Sequence, residues 1–552
     1  MKRKSVLLLA GVLGVQLFLS ARVFTPAPHT GGDNAGYVAL AHSILERGAY
    51  LELWTPGEPQ HTKYPPIFPL LLAGAMALGV KGWVGLKAVP FVSTLLVGAL
   101  SFLWVRDRKG DTVAASVALL VVLADAVLYY SRWILSDPTF LAFTLGALWT
   151  LEKGEKEETD NPGLWLMAGF VLVLLAYFTR SAGLPLAVAT VLWLILRRGW
   201  GGLAIFSAAF LGSAGLWWWR GLEAGGGSYA AEFWLLDPYR PELGRVGATG
   251  LLGRIWGNLL AYVTNFIPEG IVGLEGSLLP ILGVGLTLLA LLGWGRSFRR
   301  GPGLGELFLP LYLGLMLLWP EVWSGDRFAL PLFPLLLFYA VSALLWLFQG
   351  LKPALRTGLL AGGFLLVAVP SLQSWAGEAE AAGMCRAVSK GGDPWSCDGP
   401  NVQGYVQMAG WAGANLPVGS VVVARKPRIF FVQSSVKALS LPLTTDPDEF
   451  LGLAREGGGR YLTVDRWDGL TAYYVPPVLR ARPGSFCYLT GLESGGQVAV
   501  QLLGIRSEGE VEGGGEGTLP RCPPEMTMSR PWPRAPVGPG EIPLLVWGHR
   551  TR

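Results

Sequence analysis

The chain opens on three basic residues, Lys2, Arg3 and Lys4, followed by an apolar run from Ser5 to Val23. Further apolar runs follow at roughly 83–105, 112–130, 138–151, 163–178, 184–196, 203–219, 278–294, 304–319, 328–348 and 357–370. Crossing a hydrocarbon layer of about 30 Å takes about 20 apolar residues in a helix, fewer where neighbours bury the ends. The pattern predicts a polytopic α-helical membrane protein. The first run has the look of a signal peptide, but no small-x-small cleavage site follows it, so it is read as a retained helix.

One more run, Pro65 to Val80, is decided by charge, because cytoplasmic loops carry an excess of Lys and Arg. If this run spans, the clusters Arg106, Arg108, Lys109, then Arg197, Arg198, then Arg296, Arg299, Arg300 fall outside. If it does not, all of them fall inside, together with Lys153, Lys156, Lys352 and Arg356. The second count gives about eleven transmembrane helices in the cytoplasmic membrane, with the N-terminus in the cytoplasm. Residues 65–80 then form a proline-started helix at, or dipping into, the outer leaflet. The expected division is a membrane part, 1–370, with outer loops 24–82 and 220–277. An extracytoplasmic α/β domain follows over 371–506, and then a Gly/Pro-rich tail over 507–552, partly irregular. Within the second loop, Leu251 to Ile267 reads as an amphipathic helix, either interfacial or packed on the tail domain. In the tail domain, Ser420–Arg425 and Arg460–Asp465 read as buried strands, and helical patterns lie near 401–416 and 446–456.

Composition agrees with a membrane part. The 552 residues are 51% hydrophobic and only 15% charged, where soluble chains carry about 25% charged residues. A net charge of +5 sorted by membrane side gives no footprint for nucleic acid. Cys385, Cys397, Cys487 and Cys522 all follow the last apolar run. An even number confined to one polar segment points to one or two disulfides in an oxidising space, with free or metal-bound thiols as the alternative, and the spacing lacks the paired C-x-x-C of a zinc site.

The candidate chemistry lies in the outer loops. Asp33 opens a helix-like stretch, Lys63 precedes Pro65-Pro66, Arg132 and Asp137 lie in one short loop, Arg180 in the next, and Asp326 with Arg327 precedes the tenth span. Cations on this side run against the positive-inside trend, so something besides topology retains them. Arg and Lys match phosphate oxygens in charge and geometry, and a carboxylate can take a proton from an attacking hydroxyl. Each residue also has a plainer reading. Asp33 and Asp137 could cap helices, the basic residues could anchor at the interface, Asp326 could pair with Arg327, and His61 is an isolated histidine.

Taken together these residues resemble the GT-C membrane glycosyltransferases. The branch they resemble holds protein O-mannosyltransferases, aminoarabinose transferases of lipid A and lipopolysaccharide galacturonosyltransferases. The resemblance rests on Asp33, Tyr37 and Gly48 after the first span, Lys63-Tyr64-Pro65-Pro66, Arg132 with Asp137-Pro138, Thr179-Arg180-Ser181-Ala182-Gly183, and Arg327-Phe328-Ala329-Leu330-Pro331. It covers roughly residues 1–350. It departs from the family at Asn34, where a second acid often stands, and at Thr62 and Tyr64 around the first lysine.

The resemblance implies transfer of a sugar, with inversion, from a polyprenyl-phosphate carrier to an acceptor hydroxyl outside the cytoplasm. Asp33 would be the general base or orient the acceptor, and Asp137 matches the family's second acidic position, a second catalytic carboxylate on the acceptor or metal side. Lys63, Arg132, Arg180 and Arg327 would hold the donor phosphate, with Tyr37, Tyr64 and Asp326 on the substrate. A glycan, lipid or protein would be the acceptor. A leaving monophosphate held by several cations needs no metal, so no cofactor is assigned and a divalent metal stays open. The rival readings are a polyprenyl-lipid or glycolipid flippase and an inactive scaffold. A flippase places charges near the bilayer midplane on broken helices, whereas here they gather at one face.

Overall fold

In the computed structural model, residues 2–156, 160–225, 228–494, 497–506 and 519–527 are described. The chain forms two compact units. The first comprises Met1–Pro26, Thr62–Leu235 and Arg245–Ala387; the second comprises Ala27–His61, Leu236–Gly244 and Val388–Arg552.

In the first unit every apolar run read from the sequence is helical. Among the described residues seven helices are long and apolar enough to cross a membrane: Arg3–Val23, Gly82–Lys109, Pro162–Thr179, Trp200–Glu223, Leu279–Arg299, Asp326–Leu347 and Pro353–Val388. An eighth follows if Asp111–Leu123 and Asp125–Ser131, bent by 59° at Ala124, count as one span. Ser181–Leu196 and Leu304–Leu318 are shorter apolar helices, and Asp137–Gly154 carries charges at both ends. Ile67–Ala77 has 11 residues, about 16 Å of helix, roughly half a hydrocarbon layer. The amphipathic stretch of the second loop is the helix Ala248–Ala261, with a π turn at Tyr262–Phe266 and a last turn at Ile267–Val272.

The helix expected to end near 370 runs to Val388. Polarity changes at Ser371, but the Ala/Glu-rich sequence that follows favours helix as strongly as the apolar part does, so the helix outlasts its apolar stretch. Helices 279–299 and 326–347 approach closely at Gly293, where any Cβ would overlap the Tyr339 carbonyl.

The second unit holds a five-stranded sheet: β1 Val421–Ala424, β2 Lys437–Ser440, β3 Tyr461–Asp465, β4 Phe486–Ser494 and β5 Gln497–Ile505, in the order β2-β1-β3-β5-β4. β1 is parallel to β2 and β3, and β5 is antiparallel to β3 and β4. Both strands read from the sequence are present and fully buried, as β1 and β3. Pro400–Asn415 and Pro447–Glu456 are the expected helices, and Asp446 caps the latter by accepting from the amides of Asp448 and Glu449. The segment Ala27–His61, which follows the first apolar helix, belongs to this unit. The carbonyl of Trp54 accepts from Ala438 N at 2.7 Å on the edge strand β2, and Lys437 Nζ donates to Glu58 at 2.8 Å. All four cysteines are disulfide-bonded, Cys487 on β4 with Cys522. Apart from 519–527, the tail from 507 lies outside the described residues.

Candidate active site

In the first unit the structure gathers three of the residues singled out from sequence. Asp137 is the first residue of its helix and is followed by Pro138, which suits the first turn because no amide is lost there. Its carboxylate is 3% exposed. Arg180 donates to Oδ1, and Arg327 Nε donates to Oδ2 at 2.9 Å. Arg180 sits where the helix Pro162–Thr179 breaks into extended backbone, and its guanidinium lies over the Phe328 ring. Arg327 follows Asp326 at the start of the 326–347 helix. Asp326 accepts from Tyr130 Oη at 2.9 Å and from the Arg327 amide at 2.7 Å. One carboxylate thus holds two guanidiniums, and the neighbouring carboxylate fixes the backbone that carries one of them.

Every other cation expected to meet phosphate also has a carboxylate. Lys63 Nζ donates to both oxygens of Glu232, at 3.0 and 2.9 Å, and lies 5.6 Å from the Trp323 ring centroid. Arg132, almost fully buried, donates to Glu378 at 2.5 Å and faces the rings of Tyr129 and Trp133. Cations withdrawn from water need compensation, and these pairs supply it. Tyr64 is buried. Sequence reasoning passed over Lys87. It is fully buried, donates to the Thr25 carbonyl at 2.6 Å and faces the Trp133 ring. A lysine at the head of an apolar run was the available signal.

In the second unit Asp33 is the second residue of the helix Gly32–Arg47, not its cap; the cap position is Gly31. A carboxylate in a first helical turn is favoured by the helix dipole. Its described partner is Arg428, with NH1 to Oδ1 at 3.7 Å, a separation beyond direct hydrogen bonding. Arg428 lies 5.1 Å over the Trp54 ring. It passes so close to Gly36 that a Cβ there would stand 2.9 Å from Arg428 Cδ. Tyr37 is buried beside it in sequence, and Asn34 is fully buried. Arg428 was missed because it follows a strand of the tail domain, far from any outer-loop motif.

His61, isolated in the sequence, is fully buried, with Nδ1 2.8 Å from Glu52. Burial works to raise the Glu52 carboxyl, but His61 and Arg428 outweigh it and hold it below its ordinary value. Among the described residues no group of three or more His, Cys, Asp or Glu side chains is placed to hold a metal ion.

No protein-family model and no curated protein sequence matches the chain. Solved structures do match. ArnT from Cupriavidus metallidurans is 14% identical with a TM-score of 0.57, over 89% of this chain and 97% of that one. The same protein bound to undecaprenyl phosphate gives 13% identity and a TM-score of 0.56. Archaeal oligosaccharyltransferase AglB from Archaeoglobus fulgidus, in complex with an inhibitory peptide and a dolichol-phosphate, is 14% identical with a TM-score of 0.55. That match covers 91% of this chain and 75% of AglB. The fold is that of the GT-C membrane glycosyltransferases. At such identity the likeness is one of fold, and it agrees with the resemblance carried by the short motifs.

Proposed function

We propose that the protein is an integral-membrane glycosyltransferase that moves a sugar, with inversion, from a polyprenyl-phosphate carrier to an acceptor hydroxyl outside the cytoplasm. The observation that carries this reading is the buried Asp137 held by Arg180 and Arg327, on the fold shared with ArnT, which binds undecaprenyl phosphate.

The chemistry divides among the residues as follows. Arg180 and Arg327 receive the phosphate of the donor, with Lys63 and Arg132 as further cations. Guanidiniums suit this because two parallel N–H groups match two phosphate oxygens. Asp137 keeps both planes aligned between turnovers, which makes it a positioning residue, and Asp326 anchors the backbone of Arg327. Asp33 accepts the proton of the acceptor hydroxyl as its oxygen attacks the anomeric carbon. The bond from that carbon to the phosphate oxygen breaks, and polyprenyl phosphate leaves with the electron pair. Cations already in place stabilise the charge as it develops, without reorganising at the moment of reaction. Tyr37 and Tyr64 border the substrate.

The test uses purified protein in detergent with a panel of polyprenyl-phosphate sugars and a membrane extract as acceptor source, following free polyprenyl phosphate by mass spectrometry. Release is expected from at least one donor, lost in Asp33→Ala and strongly reduced in Arg327→Gln. If no donor yields free carrier while the protein is folded and the carrier binds, transport replaces transfer as the reading.

A further inference from the structure

The first unit has a second cluster of cations with no place in the chemistry above. It lies at the other end of the helix that carries Arg327. That helix, Asp326–Leu347, spans 22 residues, about 33 Å, so its two ends stand a bilayer apart. At its far end the helices Gly82–Lys109 and Leu279–Arg299 also terminate, and the three together line a half-open cavity of about 360 Å³. The volume falls within the roughly 300–1,000 Å³ of small-molecule sites.

The lining is lopsided in charge. Arg108 is satisfied, donating to Glu306 at 2.6 Å and to Glu152 at 2.8 Å. Lys109, Arg296 and Arg300 also line the cavity, and among the described residues none of these three makes an ion pair. The Arg296 guanidinium lies 4.6 Å from the Trp346 ring centroid, a contact with the ring that does not use up its N–H groups. Ser342 adds an independent sign. Its hydroxyl is buried in the lining with no hydrogen-bond partner, and it has not turned back to its own helix as buried serines do when nothing else is offered. Cations at helix C-termini are favoured by the dipole alone. The dipole accounts for neither a cavity among them nor an orphaned hydroxyl.

We propose that this cavity binds the phosphate headgroup of an anionic membrane lipid, on the membrane face opposite the Asp137 cluster. Basic pockets between transmembrane helices are suited to such headgroups. A lipid fits better than free phosphate because the 279–299 helix continues from the cavity into exposed apolar surface at Leu288 and Leu292, where acyl chains can lie. Lys109, Arg296 and Arg300 supply the charge, and Ser342 stands beside them in the lining.

Native mass spectrometry of the full-length protein released from detergent tests this, with phosphatidylglycerol and phosphatidylcholine titrated separately. The wild type is expected to retain phosphatidylglycerol in preference. The variant Lys109→Gln/Arg296→Gln/Arg300→Gln is expected to bind it about a hundredfold more weakly, at roughly fivefold per basic side chain. Ser342→Leu, which replaces the hydroxyl by a branched apolar group in the cavity lining and keeps every charge, should weaken lipid binding too, and it decides the matter if the triple variant fails to fold. Equal retention of the two lipids, or unchanged phosphatidylglycerol binding in Ser342→Leu, overturns the proposal. Displacement of the lipid by millimolar inorganic phosphate overturns it in favour of a free-anion site.

Discussion

Asp465 offers a prediction whose size follows from its surroundings. It closes β3 with no exposure to solvent. Its carboxylate accepts from the Trp467 amide at 3.0 Å and from the hydroxyls of Thr471 and Thr463 at 3.4 and 3.3 Å. Burial pushes its pKa up to about 6, Asp468 adds to the shift, and the Trp467 amide and Arg425 oppose it. A carboxyl whose folded pKa lies above its unfolded value costs stability once ionised. That cost, about 3 kcal/mol at neutral pH, is relieved as pH falls through 6 and is gone below the unfolded value near 4. Asp465→Asn keeps an oxygen for the Trp467 amide and removes the titration. Hydrogen exchange at the central amides of β1 and β3 reports the opening free energy of the sheet. Wild type and variant measured at the same pH share the same exchange chemistry. Between pH 7.5 and 4.5 the wild type should gain about 2 kcal/mol relative to Asp465→Asn. A constant difference across that range, or a wild type that loses ground on acidification, would refute the reasoning.

Two further outcomes are expected. Asp137→Asn removes the carboxylate that competes with phosphate for Arg180 and Arg327, so free polyprenyl phosphate should bind about 10-fold or more tightly while turnover falls; lipid affinity that drops as in Arg327→Gln would show that Asp137 does not compete with the lipid. Replacing both Cys487 and Cys522 by alanine opens a link across 35 positions and should cost the second unit about 4 kcal/mol, read as faster exchange in β4 and β5 with the helices of the first unit unaffected.

The helices were legible because an apolar run of span length needs no partner to declare itself. Each predicted run is a helix, down to Ser181–Leu196 and Leu304–Leu318. The strands divide differently. β1 and β3 are buried throughout and read as continuous β-branched runs, whereas β2 is a half-exposed edge. β4 and β5 were passed over although Gly495-Gly496 stands between two apolar stretches, a hairpin signal that deserved more weight. Asp137, Arg180 and Arg327 were found because charge beside an apolar run is costly and therefore conspicuous. Their partners were not. Glu232 and Glu378 look like ordinary surface acids in the sequence, and only the fold carries them to Lys63 and Arg132. Arg428 is the clearest case, since nothing near Asp33 in the chain announces it.

That distance along the chain has a consequence in time. Asp33 emerges early in synthesis, yet Arg428 and the edge strand that receives Trp54 are made about 400 residues later. At about 5–20 residues per second the first outer loop waits roughly 20–80 s for the segment that completes it. During that interval the helix Gly32–Arg47 lacks Arg428, and the backbone around Trp54 has no strand to join. The protein therefore completes its second unit last, after the helices that lie in the chain between that unit's segments have been made, and a nascent chain stalled before β2 would leave this loop open to proteases.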